Sequence, residues 1–195
     1  MVDAVTNFSA VPGYFAQDAE DRAAVARCLA GDTAAFEVIV ERYQRVFFTV
    51  AARLLGDHEA ARDAAQDAFV NAFRRLDSYD SSRPFFSWIY RILVNGCLND
   101  RRDRRHHVEL TPDMATVAAG PADLAEVDER RRRVQQAILA LSADYRQVIV
   151  LRHFTQLSYE EIAEVVGVPT KTVKSRLHTA RERLEQMLRD VDIRR

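Results

Sequence analysis

Lysine is almost missing from this sequence: of 28 basic residues, all but Lys171 and Lys174 are arginine. That shortage assigns no function, because a GC-rich coding bias produces it equally well. Cysteine is nearly as scarce. Cys28 and Cys97 fit neither a disulfide framework nor a metal-ligand spacing, so both are expected as reduced thiols in or near a core. No stretch approaches the roughly 20 consecutive apolar residues of a membrane span. The N-terminus lacks the basic-then-apolar pattern of a secretory signal, and a cytoplasmic location is expected. A net charge of −1 excludes a uniformly basic coat but leaves local patches open. Six Gly and five Pro in 195 residues are few, and Ala, Leu, Arg and Glu are abundant. That balance favours an all-helical chain, and 48% hydrophobic residues suffice for real cores.

The periodicity divides the chain into two helical bodies. Residues 1–20 read as a loose leader around Pro12-Gly13. A first helix is expected from Asp21 to Ala30, stopped by Gly31, with Asp32 or Thr33 capping the next. In that second helix Phe36, Val40, Tyr43, Phe47, Val50 and Leu54 recur at helical spacing. A third, about His58 to Leu76, turns Ala61, Ala65, Ala68, Phe69, Ala72 and Phe73 inward and projects Asp63, Gln66, Asp67 and Asn71 at other angles. After the turn-rich Asp77 to Ser82, Pro84 suits the first turn of a fourth helix, where its missing N–H costs little. That helix carries Phe86, Ile89, Tyr90, Leu93, Cys97 and Leu98 on one stripe and ends in an arginine-rich turn, Arg101-Arg102 and Arg104-Arg105.

Residues 106–123 have no sustained period and read as a flexible linker. A charged helix is expected from near Leu124 to Leu141, and another from Ser142 bearing Val148, Ile149 and Leu151. The fold class is therefore all-α, with two small helical domains at 21–105 and 124–190. No further domain is expected after residue 190.

The last two helices carry the most specific local signal. Ser158-Tyr159-Glu160-Glu161 is a capping box, in which the Ser hydroxyl and the Glu carboxylate each satisfy a free backbone N–H. Gly167 lets the chain turn, Val168 fills the angle, and Pro169-Thr170 opens a second helix. This is a helix-turn-helix pattern. At about 100° per residue, Val173, Leu177, Ala180, Leu184 and Leu188 share the inner side. Lys171, Ser175, His178 and Thr179 lie opposite, flanked by Lys174, Arg176, Arg181 and Arg183. The stretch from Thr170 to Arg183 holds five basic residues and one acid in a slightly acidic chain. Its centre suits base edges and its flanks suit phosphates.

Leu157-Ser158-Tyr159-Glu160-Glu161-Ile162-Ala163, with Thr172-Val173-Lys174-Ser175-Arg176-Leu177-His178, resembles region 4 of extracytoplasmic-function (ECF) RNA polymerase sigma factors. The first body resembles region 2 of the same family. Its matching stretches are Ala35-Phe36 with Arg42-Tyr43, Asp63 to Phe69, and Ser87-Trp88-Ile89-Tyr90-Arg91-Ile92 with Asn95. The resemblance implies a non-enzymatic specificity subunit that binds the beta and beta-prime subunits of core RNA polymerase and directs promoter-specific initiation. It implies no cofactor, promoter DNA as a partner, and an anti-sigma factor as a further one.

Carried onto this sequence, the resemblance places polymerase-clamp contacts at Asp63, Gln66, Asp67 and Asn71. It places the −10 element against Tyr79, Asp80, Ser81, Arg83, Phe85 and Asn95, with Arg101 and Arg102 on the strand's phosphates. Polar side chains can read a base once it has left the stack, and aromatic rings can support its face. Trp88 sits in the same motif and is expected in the core. The −35 element falls to Lys171, Thr172, Lys174, Ser175, Arg176, His178, Thr179 and Arg181. Lys171 stands where the family often has Gly, and Thr179 where it often has Arg. Val94 and Asn99 replace the usual Arg and Asp, so neither promoter preference transfers from relatives.

Two other classes compete. A stand-alone helix-turn-helix regulator would share the C-terminal module but has no need of the Trp-bearing helix and polar loop of the first body. An enzyme finds no support: adjacent His106-His107 project apart on a helix, and no ligand set converges on them.

Overall fold

The computed structural model describes residues 18–105, 122–155 and 157–192. They form eight α-helices in chain order: α1 (Asp18–Leu29), α2 (Phe36–Leu55), α3 (His58–Arg74), α4 (Phe85–Arg105), α5 (Ala122–Ala140), α6 (Ala143–Phe154), α7 (Tyr159–Val166) and α8 (Thr170–Asp192). Short 3-10 turns occupy Thr33–Ala35 and Leu76–Ser78. The all-α expectation holds. The expected linker lies almost wholly outside the described residues.

Helices α1–α4 make the first body. The α2 stripe is buried at Phe36, Tyr43, Phe47, Val50 and Leu54 as read, but Val40 is only half-buried and its neighbour Ile39 takes the core position instead. The inner face of α3 is alanine, with Ala61, Ala64, Ala65, Ala68 and Ala72 buried, and such small side chains let α3 lie close along α2. Bulk comes from aromatic rings. Phe47 stacks on Phe69 with centroids 4.9 Å apart, and Tyr43 meets Tyr90 edge-on at 6.0 Å.

Three expectations need correction. Asp32 makes no side-chain cap, and a 3-10 turn precedes α2 instead. Phe73 is 42% exposed, held only along one edge by Phe36, because the inner track of α3 is already filled by its alanines. The end of the supposed leader is helical: α1 begins at Asp18, whose carboxylate accepts from the Phe85 backbone N–H at 2.7 Å. Asp18 thus serves the start of α4, a helix far along the chain.

Helices α5–α8 make the second body, and it packs directly on the first, α6 and α5 against α2 and α7 against α4. Six consecutive residues of α6, Arg146 to Leu151, are buried, so this helix is covered all round. Arg146 explains part of the junction. Its guanidinium is 1% exposed and donates to the carbonyls of Ile138, Leu139 and Leu141 in the second body and of Leu54 in the first. Ile138, Leu139 and Leu54 are in the last turns of α5 and α2 and Leu141 follows α5 directly, and a cation satisfies such carbonyls in both charge and hydrogen bonding. Gly56 closes α2 in the left-handed region (φ 80°), and a Cβ there would lie 2.5 Å from Leu139 Cδ1 of α5. Arg53 adds a bond to Gln135 Oε1 at 2.7 Å and covers the Phe154 ring at 4.7 Å.

Candidate nucleic-acid and polymerase interface

Three surfaces collect nearly all the residues singled out by sequence. On α3, Asp63, Gln66, Asp67 and Asn71 are all exposed. Their spacing of three and four keeps them on one stripe. Val70, 40% exposed, lies within that stripe, and Phe73 lies beside it. The face is thus polar with an apolar seam, a feature missed when Phe73 was placed inside.

The second surface is the loop between the Leu76–Ser78 turn and α4. Its conformation is set locally. The Tyr79 hydroxyl donates to the Arg83 carbonyl at 2.6 Å, the Ser82 N–H donates to the Asp80 carboxylate at 2.9 Å, and the Arg83 N–H bonds the Asp80 carbonyl. From outside, Arg22 of α1 donates to the Ser81 carbonyl at 2.6 Å while paired with Asp18. The Ser82 hydroxyl and N–H hold the Asp80 carboxyl below the usual carboxylate range, so it is an ionised acceptor. Burial pushes the Tyr79 phenol up to about 12, so it stays a donor at any physiological pH.

A cavity of about 230 Å³ opens under this loop, lined by Tyr79, Asp80, Arg83, Ser87, Trp88 and Arg91, with Glu164 at its edge. Trp88 is half-buried and forms part of the wall, so it is not wholly core. Phe85 is fully buried and packs on Tyr79, Trp88 and Tyr43. It supports the wall from behind and presents no face to a base, which corrects its assignment as a direct contact. Asn95 is exposed on α4 and does not line the cavity. Ser81 is exposed at the loop tip. The side chains of Arg101 and Arg102 lie outside the described residues.

The third surface is the helix-turn-helix. Both halves of the capping box form: the Glu161 N–H donates to Ser158 Oγ at 3.1 Å, and the Ser158 N–H donates to the Glu161 carboxylate at 2.5 Å. Gly167 takes φ 72°, and its N–H closes α7 on the Ala163 carbonyl. Val173, Leu177 and Ala180 bury the inner face of α8. Lys171, Lys174, Ser175, His178 and Arg181 are exposed together on the outer side, while Thr172 and Thr179 are half-buried at its margins. Arg176 is engaged inside the body, paired with Asp144 of α6 at 3.1 Å with its side chain only 22% exposed. It is better placed to brace α8 than to reach DNA.

Several residues of these surfaces escaped the sequence reading. Asp18, Arg22, Arg91 and Arg146 bond partners distant in sequence, and Ser87 enters only as part of the cavity lining, so no local pattern marks their roles. For Ser87 and Arg91 the one available signal was their position in the Trp88-bearing motif.

Two bodies, a polar loop over an aromatic-walled cavity and a basic helix-turn-helix are the parts of a promoter-reading protein. Comparison with known proteins agrees. The family models for Sigma-70 region 2 and Sigma-70, region 4 match residues 39–107 and 131–184. The chain is 37% identical over 173 residues to the ECF RNA polymerase sigma factor SigW of Bacillus subtilis, covering 83% of this chain and 92% of that one. It is 34% identical over 177 residues to the ECF RNA polymerase sigma-E factor of Escherichia coli K12, covering 85% and 92%. Among solved structures, CnrH in complex with the cytosolic domain of CnrY superposes with a TM-score of 0.69 at 28% identity, covering 87% of this chain and 97% of that one. The sigma factor RpoE in complex with the anti-sigma factor NepR from Bartonella quintana gives 0.64 at 26% identity, covering 79% and 96%. The chain belongs to the ECF RNA polymerase sigma factors, which direct promoter-specific transcription.

Proposed function

We propose that the two bodies divide the work of a sigma factor: α1–α4 bind the clamp of core polymerase and capture the −10 element, and α8 reads the −35 element in the major groove. The observation that carries this reading is the loop cavity. It combines an ionised acceptor at Asp80 with an aromatic wall at Tyr79 and Trp88, which suit the pairing edge and face of an unstacked base. A stand-alone regulator that reads duplex DNA needs no such cavity.

The α3 stripe is the proposed polymerase contact. Asp63 and Asp67 offer carboxylates to basic groups, Gln66 and Asn71 add orientation, and Val70 with Phe73 supply apolar area. The chain is read as a cytoplasmic, non-enzymatic subunit without a cofactor. None of its helices, among the described residues, is long and apolar enough to cross a membrane. Two solved relatives are held by other proteins, one of them named an anti-sigma factor, and a similar binder is proposed here.

The test is competition for core polymerase. Asp63→Arg combined with Gln66→Ala should weaken binding several-fold while leaving the helical content intact. Unchanged affinity removes the α3 stripe from the interface.

A further inference from the structure

The loop over the cavity is held in place by a helix far from it in sequence. Residues 80–83 are exposed. Bonds within the loop, from the Tyr79 hydroxyl to the Arg83 carbonyl and from the Ser82 N–H to Asp80, fix its local shape. They do not fix where that shape sits on the body. Two residues of α1 do. Arg22 Nη1 donates to the Ser81 carbonyl at the loop tip at 2.6 Å, and Asp18 Oδ1 accepts from the Phe85 N–H, where the loop becomes α4, at 2.7 Å. The two side chains are themselves joined, since Arg22 Nε donates to Asp18 Oδ2 at 2.6 Å across one turn of α1. The Asp18 side chain is only 14% exposed, and a carboxylate there also suits the positive end of α4. The second body adds little hold, because Glu164 of α7 approaches Arg83 only at 3.9 Å with both side chains well exposed.

Resting on the promoter-reading function above, we propose that Asp18 and Arg22 are positioning residues for −10 recognition. Neither lines the cavity. They act as one clasp: Arg22 holds the loop tip, and Asp18 holds the exit into α4 at Phe85, the ring that backs Tyr79 and Trp88. With the clasp made, the Asp80 carboxylate and the Tyr79–Trp88 wall keep one geometry, and an entering base meets a preformed edge and face. With the clasp open, the loop shifts to suit a wrong base as well as the right one, and discrimination falls.

The experiment is transcription by the full chain with core polymerase from two promoter sets, one varied at −10 and one at −35. Affinity for core polymerase and Tm are measured alongside. Arg22→Ala should lower discrimination among the −10 promoters by about three- to ten-fold, the scale of one intramolecular hydrogen bond. Discrimination at −35 and polymerase affinity should not change. Arg22→Lys keeps a cation in reach of Asp18 and Ser81 and should restore most of the loss. Asp18→Ala should match Arg22→Ala, and the double variant should lose no more than the larger single one, because the two act as a unit. Should Asp18→Ala fail to fold, the 39% exposed Arg22 carries the test. Arg27→Ala, which breaks the Arg27–Asp32 pair at the other end of α1, should change neither discrimination. A folded Arg22→Ala chain with full −10 discrimination overturns the inference. So does a loss that extends equally to the −35 set or follows a fall in polymerase affinity, since that is a general weakening of the first body. Wild-type chain that discriminates at −10 no better than these variants do defeats this inference alone, whereas wild-type chain that does not initiate defeats the functional reading.

Discussion

Asp21 is a carboxylate with no exposed surface, held by the Tyr43 hydroxyl at 2.6 Å and by the Arg42 guanidinium. Burial raises its pKa, against the lowering effects of Tyr43 and Arg42. The native state therefore holds this proton more tightly than the unfolded chain does. Its contribution is greatest below the unfolded value and falls as pH rises through the raised native one. Urea unfolding of wild type and Asp21→Asn should thus diverge in favour of wild type as pH falls from about 7 to about 4. A difference that shrinks over that range contradicts the assignment. Tyr43 was legible in the α2 stripe, but its partner was not: a buried acid at the start of a charged stretch looks like any solvated helix terminus. Cys28 and Cys97 are both buried and neither is in a disulfide among the described residues, and burial pushes the Cys28 thiol up, as expected of an inert one.

At the scale of elements, α7 and α8 were the most readable, because a capping box, a left-handed Gly and an amphipathic stripe are all local chemistry. Helix α3 was read correctly for its polar stripe but not for Phe73, since periodicity cannot tell which of two adjacent inward tracks the neighbouring helix fills. The start of α1 was lost for another reason. Asp18 is fixed by the Phe85 N–H and by Arg22, and only the first of these reaches beyond its own helix. On α8 the exposures make a sharper prediction than the helical wheel. Lys171→Ala and Ser175→Ala should shift base preference at −35, each by about 1–3 kcal/mol of discrimination for a direct base contact. Arg181→Ala should weaken many sequences alike. Transcription from a set of −35 variants distinguishes these, and an identical uniform loss from all three contradicts the assignment of faces.

At the scale of the molecule, two helical bodies in order were legible, but their packing was not. The residues between them carry no period, which led to an expectation of many relative orientations. The junction is instead made by Arg146 on backbone carbonyls of both bodies, by Arg53 and Gln135, and by α7 on α4. Carbonyl acceptors leave no trace in a sequence pattern, and the run Val148-Ile149-Val150-Leu151, buried on every side, was the only local hint that α6 is central.

The central claim is that this chain confers promoter choice on core polymerase. In vitro transcription with purified chain and core polymerase on a randomised promoter library tests it most directly. Initiation should begin without any added modification, and the transcribed promoters should share two sequence blocks, one near −10 and one near −35, with the chain alone binding those duplexes poorly. No initiation, together with tight sequence-specific binding of the chain alone to duplex DNA, would contradict the account and identify a regulator that works without polymerase.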